Sequence, residues 1–207
     1  MKTVILLSGK RLSGKDTVAK LLKSEKIVCV AFADELKREY ARLSGASYER
    51  IMMDGKYKEE HRRALIELAT STRFIEPTRW ARLVYEKHVN DEIIVVSDWR
   101  FPDEAEYFEK KCRVIRVRIN ASESIRKARG WVYNFSVDED QSERVLDTAT
   151  FDITVNNDGD LDALRAQLVV VVGEATDCQN ENPYTFQFEE DHFYKIFKGM
   201  SGFTYSK

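Results

Sequence analysis

The residues with the clearest chemical potential are Gly9-Lys10-Arg11-Leu12-Ser13-Gly14-Lys15-Asp16, which follow directly on Thr3-Val4-Ile5-Leu6-Leu7-Ser8. The glycines let successive backbone N–H groups turn inward around anionic oxygens, because glycine tolerates positive φ and leaves room for close approach. A helix beginning at the end of this loop points its partly positive N-terminus at the same anion. Lys15 adds a full charge for the β- and γ-phosphates of a nucleotide. Where Ser or Thr usually follows such a lysine, this chain has Asp16 and then Thr17. A carboxylate at that place could serve Mg²⁺ through water, or Thr17 could take part. A plain glycine turn is the competing reading. The lysine and the flanking elements favour a nucleoside triphosphate site.

A second acidic signal stands at Asp98, directly after the apolar run Ile93-Ile94-Val95-Val96-Ser97. Enzymes with this kind of loop place such a residue near Mg²⁺; a helix-capping Asp would look the same. Arg100 follows two residues later and would face the same cleft. Arginines are dense at 62, 63, 73, 79, 82, 126 and 129. Singly, each reads as part of a solvated helix face. Together they suit a site that holds two phosphorylated ligands head to head, since planar guanidinium groups grip phosphate bidentately and offset anion repulsion. An acceptor that is itself a phosphate is already ionised and needs no general base. The scatter of His61, His88 and His192 over helical or tail segments agrees with that.

The elements that must position these groups follow from periodicity. Short runs at Thr3–Ser8, Ile27–Phe32, Ile93–Val96, Val114–Ile119 and Phe151–Val155 predict five strands separated by helices; Val114–Ile119 alternates, as a strand with one polar face or one near an edge would. That alternation predicts an α/β fold, a three-layer parallel sheet with helices on both faces. Ligands of such sheets bind beyond the carboxyl ends of the strands, which puts the glycine loop, Asp98-Trp99-Arg100 and Asn157 on one edge. A helix over Glu35–Leu43 is expected, capped by Asp34 and ended by Ser44-Gly45. Tyr48 to His88 reads as long, helical and basic, with a helix through 57–68 and another opening at Glu76-Pro77. Pro102 starts a helix through Glu109, and Ser122 to Arg129 is a short helix. Trp131 to Asp147 reads as an acidic loop, and Leu161 to about Val172 as a helix. The expected organisation is a kinase-type domain over 1–172, with insertions at about 47–90 and 121–147, followed by an aromatic extension over 173–207. That extension would dock in cis or make a homodimer; otherwise the chain is a monomer.

The net charge of −2 over 207 residues gives no reason to expect a nucleic acid or a membrane as partner. Cys29, Cys112 and Cys178 have no metal-site spacing and no disulfide pattern. A cytosolic compartment is expected, with no targeting segment and no stretch of transmembrane length.

Several motifs recur in a fixed order: the Lys-Arg-x-Ser-Gly-Lys-Asp loop, Leu36-Lys37-x-x-Tyr40-Ala41, Tyr57-Lys58-Glu59, Val96-Ser97-Asp98-x-Arg100, Arg129-Gly130-Trp131-Val132 and Val137-Asp138-x-x-x-Ser142-Glu143. From about Val4 to Leu168 the chain resembles the animal-type phosphomevalonate kinases, which have a nucleoside monophosphate kinase-like fold. The resemblance implies ATP-dependent phosphoryl transfer to mevalonate 5-phosphate, with ATP and Mg²⁺ as cofactors. It implies that Gly9, Lys10, Arg11, Ser13, Gly14, Lys15, Asp16 and Thr17 hold the triphosphate, joined by Arg126, Arg129 and Asn157. Lys37, Lys58, Arg62, Arg73, Arg82 and Arg100 match the acceptor side, and Asp16 and Asp98 the metal. Arg11, Lys15, Asp98, Arg100 and Arg129 would act on the transferring group. The family usually has a second arginine after the one at Arg100; here it is Phe101. Asp98-x-Arg100-Phe101-Pro102-Asp103-Glu104-Ala105-Glu106 is similar to the phage-type deoxynucleoside monophosphate kinases, which share the fold and an Asn-Asp-Gly, compare Asn157-Asp158-Gly159. A nucleobase acceptor would want an aromatic wall, for which Trp99, Phe101 and Trp80 are the candidates. A non-catalytic nucleotide-binding or regulatory protein is the third reading.

Overall fold

Every residue from Thr3 to Ser8 is buried, which suits a central strand of a sheet covered on both faces. In the computed structural model, which describes residues 2–176, this strand is β1 (Thr3–Ser8). It pairs in parallel with β3 (Ile93–Val96) on one side and β4 (Arg113–Asn120) on the other. Beyond them lie β2 (Ile27–Val30) and β5 (Ile153–Asn156), for the order β2-β3-β1-β4-β5 among the described residues. The register sets Leu6 opposite Val96 and Ser8 opposite Arg118. The glycine loop, the residues after β3 and the polar end of β4 therefore emerge at one edge.

Alternate residues of β1 feed two apolar layers. Ile5 and Leu7 pack with Val18 and Leu22 of α1 (Lys15–Leu22) and Leu164, Leu168 and Val171 of α11 (Leu161–Ala175). Val4 and Leu6 pack with Phe32 of α2 (Phe32–Ser44), Trp80 and Val84 of α6 (Arg79–Lys87) and Phe108 of α7 (Pro102–Glu109). Cys29 and Cys112 are half-buried against these layers. In β4, Ile115, Val117 and Ile119 are buried while Arg116 and Arg118 are half-buried, so its alternation reflects one polar face of an interior strand. Between α2 and α6 lie α3 (Tyr48–Met53), α4 (Gly55–Glu60) and α5 (Arg62–Ile75); between β4 and β5 lie α8 (Glu123–Ala128), α9 (Phe135–Asp138) and α10 (Gln141–Arg144).

Some boundaries differ from those predicted. α2 begins at Phe32, three residues early, because its cap comes from a distant side chain: the Phe32 and Ala33 N–H groups donate to the two carboxylate oxygens of Asp98 at 2.7 and 2.9 Å. Asp34 instead pairs with Lys37 at 2.8 Å. The predicted stop at Ser44-Gly45 is present, with Gly45 at φ 73. The helix predicted through 57–68 is interrupted at His61, whose ring nitrogen meets the Tyr40 hydroxyl at 2.7 Å. The helix expected from Glu76-Pro77 starts at Arg79. Trp131–Asp147 is not all loop; it holds the one-turn helices α9 and α10, capped by Asn134 and Asp140, which are too short to show a period. α11 runs on through Gly173 to Ala175, past the compositional break. Cys178, His192 and the aromatic tail lie outside the described residues. Among the described residues no helix is long and apolar enough to cross a membrane.

Candidate active site

The loop between β1 and α1 is shaped by two close approaches. A side chain at Gly9 would place its Cβ 2.4 Å from the Ile119 carbonyl oxygen, and one at Gly14 would lie 2.1 Å from Asn157 Nδ2. Gly14 also has φ 103, a conformation that costs other residues free energy. Asn157 is buried and donates Nδ2–H to the Ser13 carbonyl at 2.8 Å. Arg129, at the end of α8, donates to the Leu12 and Ser13 carbonyls, each at 3.2 Å, and to the Asn157 carbonyl at 2.7 Å. Arg126 stacks on Trp131 at 4.3 Å and leaves its buried Nε–H without a partner. Leu12, Gly14, Thr17, Arg129, Asn157 and Leu161 border a cleft of about 350 Å³ beside the loop. The Ser13 hydroxyl is buried and unpartnered. Asp16 and Thr17, in the first turn of α1, are exposed.

Lys15 curls back over the loop, donating to the Gly9 carbonyl at 2.6 Å and the Lys10 carbonyl at 3.2 Å. Burial, with help from the nearby Arg100 charge, brings its pKa down from 10.5 to about 8. An anion among these groups would favour the charged lysine and so oppose both influences.

The remaining cations of the loop, and Arg100 after β3, face carboxylates from the acidic segment after α8. Arg11 pairs with Asp138 at 3.0 Å, Arg100 with Glu143, and Lys10 with Asp147. Arg118 of β4 also meets Asp147, at 2.8 Å. Burial works against ionisation of Asp138, yet the Asn134 amide, Trp131 and Arg11 together hold its carboxyl below the ordinary value. Sequence reasoning missed Arg118 and this set of counter-charges. The only signal was the motif holding Asp138 and Glu143.

On the other side of the sheet edge, both oxygens of Asp98 are engaged at the start of α2. Burial raises its carboxyl above the usual range, against the two amide donors. Trp99 and Trp80 are buried, at 2 % and 8 % exposure, and Arg73 lies over the Phe101 ring at 3.4 Å. Burial closes off both tryptophans, and Arg73 covers one face of the Phe101 ring. Arg73 is held by Asp103 at 2.6 Å and the Pro77 carbonyl at 3.3 Å. Arg82 is taken up by Glu76 and Glu86 within its own helix region, at 2.7 and 3.1 Å. Arg62 pairs with Glu59 at 3.1 Å on an exposed surface, and Lys58 is exposed on α4. The structure thus brings together residues 9–17, Arg100, Arg129 and Asn157. Arg73 lies near Arg100 through the turn after β3. The contacts of Lys37, Lys58, Arg62 and Arg82 do not tie them to the loop.

Against known proteins, a phosphomevalonate kinase family profile matches residues 7–114. The chain is 30 % identical over 173 residues to a phosphomevalonate kinase of Drosophila melanogaster, covering 78 % of this chain and 92 % of that one. Among solved structures it is similar to a gluconokinase from Sinorhizobium meliloti 1021, with TM-score 0.50 and 15 % identity over 86 % of this chain and 98 % of the other. It is also similar to a shikimate kinase from Aquifex aeolicus, with TM-score 0.47 and 16 % identity over 84 % of this chain and 99 % of that one. The gluconokinase likeness supports the kinase-type fold.

Proposed function

The chain belongs to the phosphomevalonate kinase family, and from that premise we propose that it transfers the γ-phosphoryl group of ATP to the phosphate of mevalonate 5-phosphate, giving mevalonate 5-diphosphate and ADP. The observation that carries this reading is the convergence of Lys15 and Arg100 at one sheet edge: the glycine loop and Arg100 meet at Glu143, where Lys10 donates to the main-chain carbonyl at 2.7 Å and Arg100 pairs with the carboxylate. Two cations that repel one another in the free protein become favourable when a dianion and a triphosphate lie between them. The acceptor phosphate is its own nucleophile, so the chain's contribution is alignment and charge neutralisation.

In this reading the loop amides and Lys15 hold the β- and γ-phosphates, while Arg129 and Asn157 close the nucleotide side. Arg11 leaves Asp138, and Arg100 leaves Glu143, to meet phosphate oxygens. Arg73 meets the acceptor with Arg100. Lys37, Lys58, Arg62 and Arg82 stand further out and would join only on closure of the helical insertion. Mg²⁺, when bound, neutralises charge shared between the phosphates. Thr17 and a water on Asp16 fit it, since Mg²⁺ keeps most of its own water and needs few protein ligands. Asp98 is assigned to the cap of α2. Accordingly, Asp98→Asn keeps one oxygen for one of the two N–H groups but turns an NH2 toward the other, and is expected to lower Tm by several degrees, since a buried donor left without an acceptor costs about 1–3 kcal/mol. The Mg²⁺ concentration for half-maximal rate should not change; a large rise would return Asp98 to the metal.

The acceptor is tested by ADP release from Mg·ATP with mevalonate 5-phosphate and with the common nucleoside and deoxynucleoside monophosphates. Turnover with mevalonate 5-phosphate alone is expected. Phe101 in place of arginine favours the deoxynucleoside monophosphate alternative, but Arg73 covers its ring and restores a cation at that place. Turnover with a nucleotide alone would replace the proposed acceptor, and no turnover with any would leave a nucleotide-binding protein.

A further inference from the structure

Glu104 opens no motif of its own and sits in the first turn of α7, buried at 4 % exposure. A carboxyl there would ordinarily cap its own helix, and it does accept the Phe101 N–H at 3.0 Å. The same oxygen, Oε2, also accepts the Arg100 N–H at 3.0 Å, one residue further than the cap requires. Its other oxygen lies 3.9 Å from Arg73 Nη1. Asp103, its neighbour, holds the other end of that guanidinium, and the Phe101 ring supports its face. One buried side chain therefore touches the main chain that aims Arg100, the residue under Arg73, and the approach to Arg73 itself. Burial brings its pKa up to about 8, so a neutral amide of the same shape is a fair mimic.

We propose that Glu104 is a positioning residue for the acceptor phosphate, fixing the turn after β3 so that Arg100 and Arg73 are presented to it as a pair. This rests on the kinase reading above, and it separates the acceptor grip from the nucleotide grip. Nothing in its contacts reaches residues 9–17. Loss of Glu104 should therefore act on the acceptor far more than on the nucleotide.

The test is initial-rate kinetics of Glu104→Ala and Glu104→Gln, varying mevalonate 5-phosphate and Mg·ATP separately, with Tm measured alongside. Glu104→Ala is expected to raise the acceptor KM about tenfold or more, leaving the ATP KM within about twofold. Glu104→Gln, whose carbonyl oxygen can accept both amides, should restore the acceptor KM to within about threefold of wild type. Equal shifts in both KM values, or a fall in Tm with neither KM changed, would reduce Glu104 to a helix cap and overturn the proposal. If Glu104→Ala does not fold, Glu104→Asp takes its place, because the shorter side chain withdraws the oxygen from the amides. Should wild type prefer another monophosphate, the acceptor assignment fails while this proposal is judged with that acceptor. Should it turn over none, crystal structures decide: an unmoved Arg100 main chain and Arg73 in Glu104→Ala would overturn it, and their displacement would support it.

Discussion

Replacement of Lys15 by methionine is expected to lower kcat by about 10³-fold, the order reached when one fixed donor to a developing charge is removed. The lysine sits inside the loop, donating to the Gly9 and Lys10 carbonyls. Its charge is held beside the anion site, and Nζ exchanges these carbonyls for phosphate oxygens when the nucleotide arrives. A single-turnover assay with Mg·ATP and the acceptor reads the effect, and a rate within threefold of wild type would sink the role. Folding should respond in the opposite sense. Lys15 binds its proton less tightly in the folded protein, at about 8, than in the unfolded chain, at 10.5. Between those pH values the unfolded state carries more protons, and stability rises with pH as the cost of the buried charge is relieved; below about 8 the full cost stands. Lys15→Met removes this term, so its Tm relative to wild type should be highest below pH 8 and decline across the window. Nucleotide affinity of wild type should weaken above pH 8, where binding must also take up a proton.

Arg100→Met is expected to lower kcat/KM for the acceptor by about 10²- to 10³-fold, with a smaller change in the ATP KM. Arginine can offer two parallel N–H groups to a phosphate; Arg100→Lys keeps the charge but not the fork, and should recover only part of the loss. Stability is coupled to the same residue, because Glu143 pairs with it and its side chain is only 7 % exposed. Methionine leaves that carboxylate without its partner, and Tm should fall. Adding Glu143→Gln should recover Tm and leave activity low. If the double variant regained activity, Arg100 would matter only as the counter-ion of Glu143.

The strands were legible because strands buried on both faces read as continuous apolar runs, as β1 and β3 do, and those with one polar face alternate, as β4 does. The glycine loop was legible because its requirements are local: a tight turn, backbone amides and one lysine within a few residues of each other. The α2 cap was not legible. The nearest capping residue by sequence was Asp34, but the donors of Phe32 and Ala33 are met by Asp98 from the neighbouring strand. The same holds for the acceptor arginines. Their number was visible, whereas Arg82 and Arg62 turn out to be absorbed by glutamates on adjacent turns, and Arg73 by Asp103 in the first turn of α7.

By itself the sequence determined the order of the five strands, the glycine loop between β1 and α1 and, through its ordered motifs, the family. Tertiary structure alone decided which charges meet. Asp138, Glu143 and Asp147 read as a solvated acidic loop, yet they lie against Arg11, Arg100, Lys10 and Arg118. Periodicity reports how one segment divides between core and water. A charge pair between residues 29 to 137 positions apart depends on which strands are neighbours and where their ends fall, and no local pattern carries that information.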